Sequence, residues 1–208
     1  PGSGIQHQIN LEHLSRVVWT VEDCTRELAY PDSLIAMDSH TAMVNCLGVV
    51  GWGVGGFEGG SVALGEPVAL LVPETVGVRL SGAMPPGVTS TDLVLYITQR
   101  LREENVVGCF VEYFGPGVDA LTLPERATVS NMTPEIGATM GFFAVDGQTL
   151  AYLRATGRVE QQVTLVEAYC KRQGLWRDDA SPQPAYQRVI GLDLRQVEPC
   201  VAGPSRPD

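Results

Sequence analysis

The stretch TSTDLVLYITQRLREENVVGCFVEYFGPG, residues 89–117, constrains the fold of this chain more than any other. Its Ser/Thr and Asp residues at 89–92 can cap the first turn of a helix, and Leu93, Tyr96, Ile97 and Leu101 then recur at helical spacing. The run VVGCFVEYFG is rich in β-branched and aromatic residues and stops at Gly115-Pro116-Gly117, which predicts a strand and a plain turn. Just upstream, Val76, Val78 and Leu80 alternate with Gly77, Arg79 and Ser81, the pattern of a strand with one face covered. Strand, helix, strand makes a βαβ unit with parallel strands and a right-handed crossover. A chain built around it belongs to the α/β class.

The rest of the chain fits that class. Residues 9–28 read as a helix followed by a turn or a short second helix. DSLIAM, residues 32–37, reads as a buried strand, so Asp38-Ser39-His40 falls at a strand's carboxyl end, where α/β folds place their chemistry. EPVALLVPETVGVRLSG, residues 66–82, predicts strand, break at Pro73, and strand. Further on, LPERATVSNM (123–132) predicts a helix with Pro124 in its first turn, and GATMGFFAVD (137–146) a strand. Two helices follow, GQTLAYLRATG closed by Gly157 and RVEQQVTLVEAYCKRQG stopped by Gly174, the latter with Val159, Val163, Val166 and Cys170 on one face. DDASPQPAYQ is a loop, RVIGLDL a last strand, and PCVAGPSRPD an irregular tail. The seam lies near Pro73, where a Gly-rich part gives way to a regular α/β part.

Charge narrows the partners. The 208 residues carry a net charge of −10, so a general nucleic-acid surface is excluded for want of clustered Lys and Arg. From Glu27 to Val78 there is no Lys or Arg at all, and any clamp on an anionic substrate must come from elsewhere. No apolar run is long enough to cross a bilayer, which argues against a membrane role. Cys24, Cys46, Cys109, Cys170 and Cys200 are scattered, without the short paired spacings of a metal site. They read as reduced thiols in a cytoplasmic compartment. The start at Pro1-Gly2, with no initiator Met, reads as a piece cut from a longer chain.

Two motifs compete for a functional role. GWGVGG matches Gly-x-Gly-x-x-Gly through Gly51, Gly53 and Gly56, but the only acid at ribose-binding distance is Glu74, which falls between strands. Glycines needed for close packing or tight turns explain the run better. The alternative is proton chemistry at a histidine, His7, His13 or His40, assisted by a carboxylate such as Asp38 or Glu135. Asn131 could orient a ligand or cap a turn. These residues give a set of candidates and no reaction.

Several long blocks resemble the aconitase superfamily, in its aconitase A and iron-regulatory-protein branch. They are PGSGIQHQINLEHLSRVV, YPDSLIAMDSHTAMVNCLGVVGWGVGG, GVTSTDLVLYITQRLR, GCFVEYFGPGVDALTLPERATVSNMTPEIGATMGFF and AGPSRPD, in order along essentially the whole chain. The resemblance implies aconitase-type three-layer α/β/α domains. Residues 1–73 would be the carboxyl-terminal part of the first domain, 74–194 the second domain, and 195–208 a linker toward a missing third domain. It further implies an aconitate hydratase of the tricarboxylic acid cycle, a hydro-lyase that interconverts citrate and isocitrate through cis-aconitate. The family's 4Fe-4S cluster acts there as a Lewis acid on the substrate hydroxyl. Asp38, Ser39 and His40 match the family's active-site triplet, with Asp38 and Ser39 toward the substrate. By the same resemblance His7 pairs with Asp38, Glu135 pairs with His40, and Asn131 lies near the cluster.

The family's cluster cysteines, from Gly-Ser-Cys-Thr-Asn and Cys-x-x-Cys segments, have no counterpart here, so the chain is expected to supply no metal ligand and to be inactive alone. Its partners would be the tricarboxylate substrate and the missing domains of the same protein. Two residue pairs depart from the pattern: Ala36-Met37 replaces Gly-Thr, and Gly59-Gly60 replaces Ala-Glu after Glu58. Other members of the branch suggest a cluster-less RNA-binding regulator, for which a charge of −10 makes this portion a poor sole binder. A truncated homologue with a scaffold or other biosynthetic role is the remaining alternative.

Overall fold

The computed structural model describes residues 10–200 except Cys24, Asp179 and Gln183. After a one-turn helix α1 (Leu11–Leu14), capped by the Asn10 side chain, strands β1 (Val18–Asp23) and β2 (Arg26–Pro31) form an antiparallel hairpin. Here the structure corrects the sequence expectation of a helix followed by a turn or a short second helix over residues 9–28: the helix is one turn long and two strands follow it. Val18, Trp19, Thr20 and Val21 favour extended backbone, and pairing with residues 28–31 supplies hydrogen bonds that a short isolated helix holds only weakly.

Strand β3 (Ser33–Ala36) lies parallel to β4 (Val50–Gly53), with Ala36 opposite Gly53. A 3₁₀ helix, Thr41–Leu47, connects them, and α2 (Gly56–Ala63) follows β4. The strand expected over 66–72 does not form. Leu71 and Val72 are 91% and 94% exposed, so neither packs into a core of the described residues, and no strand among those residues pairs with the segment.

The main sheet is built from β5 (Thr75–Ser81), β6 (Phe110–Phe114), β7 (Met140–Phe143) and β8 (Arg188–Asp193), all parallel, in the order β7-β6-β5-β8. Helix α3 (Ser90–Glu103) joins β5 to β6 and α4 (Leu123–Met132) joins β6 to β7. Helices α5 (Gly147–Ala155) and α6 (Glu160–Gln173) then carry the chain back to the far side of β5, where β8 docks. The α/β class is therefore observed, with the βαβ unit at residues 75–114 as its centre. Thr89 and Asp92 form the capping box of α3, and α6 ends on Gly174 at φ +71°.

Two apolar cores hold these elements. One packs Val76, Val78 and Leu80 of β5 against Leu93, Ile97 and Leu101 of α3. On the other face of β5, Gly77 makes room for the Tyr186 ring, since a Cβ there would lie 2.2 Å from it. The second core joins Val18, Val44 and Leu47 to Leu123, Leu153, Val163 and Val166, drawing on both sides of Pro73. Among the described residues no helix is long and apolar enough to cross a membrane.

Candidate functional site

Asp38, Ser39 and His40 form the loop from the carboxyl end of β3 into the 3₁₀ helix. The loop is shaped by its own polar groups. The His40 backbone N–H donates to Asp38 Oδ1 (2.8 Å), and Thr41 Oγ1 donates to the carbonyls of Asp38 (2.5 Å) and Ala36 (3.3 Å). Buried Asn45 then donates from Nδ2 to the carbonyls of Val49 (2.9 Å) and Gly51 (3.3 Å), fixing the return to β4. At Gly51 a Cβ would lie 2.4 Å from Val44 Cγ2 and 2.6 Å from the Thr41 carbonyl, so the glycine is required by packing. Gly53 and Gly56 have no neighbour that close, and they lead through a turn into α2.

The triplet meets the second half of the chain at one point. His40 Nδ1 and Asn131 Oδ1 are 2.8 Å apart, across 91 positions of sequence. Both side chains are half-buried, as is Asp38, whereas Ser39 is exposed. Asn131 stands at the end of α4, which is locked to the sheet: Ser130 Oγ donates to the Gly141 carbonyl (2.7 Å), and Thr133 Oγ1 shares a hydrogen bond with Tyr113 Oη (2.9 Å). Neither Ser130 nor Tyr113 carried a sequence signal as a site residue, because nothing in spacing or composition marks a buried hydroxyl. The other carried-over residues fare differently. Glu135 is exposed, and the structure shows no hydrogen bond or ion pair from it to the described residues, His40 included. His7, expected beside Asp38, lies outside the described residues.

Met37 and Gly59, separate departures in the sequence, are neighbours in space. Met37 Cγ occupies the position 2.3 Å from where a Cβ on Gly59 would stand, and Sδ lies at 2.8 Å. The larger side chain beside Asp38 is accommodated by the missing one on α2.

The buried cysteines Cys46, Cys109 and Cys170 do not fit a cluster-binding role. Among the described residues no three His, Cys, Asp or Glu groups come together as a metal-ligand set. Cys46 and Cys170 are packed in the second apolar core and Cys109 in the first. Burial pushes the Cys46 thiol up to about 12 and that of Cys170 to about 11, the opposite of the thiolate character that iron requires. A cavity of about 740 Å³ opens elsewhere, beyond the carboxyl ends of β6 and β7, lined by Glu112, Phe142, Tyr169, Trp176 and Arg177. None of Asp38, Ser39, His40, Asn131 or Glu135 lines it.

Fold and site thus define a parallel α/β protein with a polar triplet at a strand's carboxyl end and an amide reaching its imidazole from a neighbouring helix. The aconitase family model (aconitate hydratase) matches residues 1–208, and the chain belongs to that family. It is 56% identical over 208 residues to aconitate hydratase A of Thermus thermophilus. Identity is 55% over 207 residues to aconitate hydratase A of Deinococcus radiodurans and 52% over 207 residues to that of Escherichia coli. Each match covers 100% of this chain but only 23% of the relative, so the chain spans about a quarter of the length of these curated relatives.

Proposed function

We propose that the protein containing this chain is an aconitate hydratase, a hydro-lyase interconverting citrate and isocitrate through cis-aconitate in the tricarboxylic acid cycle, and that this chain supplies part of its active site. The observation that carries the reading is the triplet Asp38-Ser39-His40 at the carboxyl end of β3, in a chain matched to the family from end to end. Residues 1–73 are read as the later part of a first α/β domain, 74–194 as a second, and 195–208 as the way to a third. The absence of regular structure over 66–74 supports a boundary there. Four free cysteines among the described residues accord with a reducing, cytoplasmic compartment.

The residues divide the work by their chemistry. His40 takes and returns the proton of the hydroxyl that leaves or adds, with Glu135 as the carboxylate paired with it in that exchange. Asp38, assisted by His7, and Ser39 hold the substrate side of the pocket. The carboxylates of a tricarboxylate need cationic partners, and the stretch from Glu27 to Val78 contributes none, so those partners belong to the rest of the protein. The family's 4Fe-4S cluster supplies Lewis-acid activation when bound, and its ligands are assigned to the remaining three quarters of the protein because the buried thiols here do not fit.

The test is an assay of the intact protein on citrate, isocitrate and methylcitrate, with and without His40→Ala. Turnover of the first two, reduced in the variant by about 10²- to 10⁴-fold in kcat, is the expected result. An intact, cluster-loaded protein that turns over none of them, or a His40→Ala variant as active as the parent, overturns the reading.

A further inference from the structure

We propose that the cavity beyond the carboxyl ends of β6 and β7 receives a basic side chain from the part of the protein outside these 208 residues, with the Glu112 carboxylate as its counter-ion. This goes beyond the hydratase reading and does not depend on it. In the sheet Glu112 stands opposite Gly77 of β5 and Phe142 of β7, so its neighbours across both ladders are a residue without a side chain and an apolar ring. Side chains alternate along β6: Val111 and Tyr113 enter the core shared with α3, which leaves Glu112 on the other face, where the Tyr186 ring packs over Gly77.

No cation among the described residues compensates this carboxylate. The one side chain that acts on it is the Tyr186 phenol, which only partly offsets the burial that holds the carboxyl above its usual range. Tyr186 Oη is itself buried and short of a well-formed hydrogen bond among the described residues. The other charges that line the cavity are engaged elsewhere. Lys171 Nζ pairs with Glu167 (2.5 Å), Arg177 with Asp119 (2.7 Å) and Asp146 (3.4 Å), and Asp178 accepts from Trp176 Nε1 (3.1 Å) and Ser181 Oγ (2.9 Å). A buried carboxylate that faces a phenol and apolar rings is costly unless a cation completes it.

Size and charge identify the occupant. The chain covers 23% of its curated relatives, so most of the protein lies outside it, and a net charge of −10 on this portion favours a basic contact. The cavity of about 740 Å³ holds more than a bare ion, and Phe142, Tyr169 and Trp176 offer flat faces that suit a guanidinium or the methylene stem of a lysine. Lys171 already shows the fit, with its ammonium 4.8 Å from the Trp176 ring centre. Of this chain's own basic side chains, only His7 and Arg206 lie outside the described residues.

A crystal structure of the intact protein tests the proposal directly. The expected result is an arginine or lysine from outside residues 1–208 with a nitrogen within about 4 Å of a Glu112 carboxylate oxygen. Water, a small molecule, an apolar side chain, or His7 or Arg206 of this chain in that place overturns it. Stability gives a second readout whose sign separates the two cases. With a basic partner in place, Glu112→Gln strands a buried cation, and the apparent thermal midpoint of the intact protein at a fixed heating rate is expected to fall by several degrees. Replacing that partner by methionine in the Glu112→Gln background is expected to recover part of the loss. Without a partner the neutral amide relieves a buried charge, so a midpoint that stays or rises in Glu112→Gln overturns the proposal. Neither readout uses turnover, so an inactive, cluster-loaded parent sinks the hydratase reading alone.

Discussion

Gly59 and Gly60 are adjacent on α2 with opposite surroundings. A Cβ at Gly60 meets nothing within 4 Å, whereas one at Gly59 runs into Met37. Glycine in a helix interior costs about 0.5–1 kcal/mol relative to alanine, so Gly60→Ala is expected to stabilise the chain by about that amount. Gly59→Ala should gain less, because Met37 must first swing aside, and should regain the difference in a Met37→Thr background. A double-mutant cycle in urea is expected to show a coupling of about 0.5–1.5 kcal/mol between positions 37 and 59. Equal gains from both glycine substitutions in the parent would show that Met37 moves without cost. In the sequence these two glycines look alike, and the departure at Met37 looks unrelated to either. Their connection is legible only once β3 and α2 are placed together.

At the scale of elements, α3 was readable because its signals are local. Thr89 and Asp92 close the capping box, and Asp92 Oδ1 also accepts the Cys200 backbone N–H (2.9 Å). The hydrogen bonds from Thr89, and then that from Cys200, hold the Asp92 carboxyl below the usual carboxylate range. A carboxyl depressed in the folded state contributes stability above its unfolded pKa of about 3.9 and loses it as pH falls through the folded value. The difference in thermal midpoint between the parent and Asp92→Ala is therefore expected to be full near neutrality and to shrink as pH drops below about 4. A difference that stays constant through that range contradicts the assignment. The β1–β2 hairpin was unreadable for the converse reason. Its residues beyond Val18 and Trp19 are exposed, so no burial pattern marks the strands, and EDCTRE at its tip carries the charges of a helix surface. Likewise, the family resemblance supplied His40 and Asn131 by name, but no local pattern could join residues 91 positions apart.

At the scale of the whole molecule, a buried charge network ties the loops at the sheet's carboxyl edge to the helices. Arg126, fully buried in α4, faces Asp146 Oδ2 at 2.8 Å and donates to the Val118 carbonyl at 3.1 Å. Asp146 in turn caps α5, and Arg177 reaches Asp146 (3.4 Å), Asp119 (2.7 Å) and the Gly115 carbonyl (2.9 Å). Removing one member of such a buried pair leaves its partner uncompensated, so Arg126→Met is expected to cost about 3–5 kcal/mol in denaturant unfolding. A cost under about 1 kcal/mol would show that Arg177 alone satisfies Asp146. No sequence pattern singled out Arg126, because a charge in a helix is ordinarily taken as solvated.

The second apolar core carries a consequence for exchanging parts between relatives. Pro73 is a clean break along the chain, yet Val44 and Leu47 before it interlock with Leu123 and Val163 after it, and His40 meets Asn131 across the same line. A crossover placed at Pro73 would splice loops neatly while parting side chains that have to be inherited together. Recombinants within the family should therefore tolerate junctions that keep the 3₁₀ helix and α4 from one parent, and resist those that separate them.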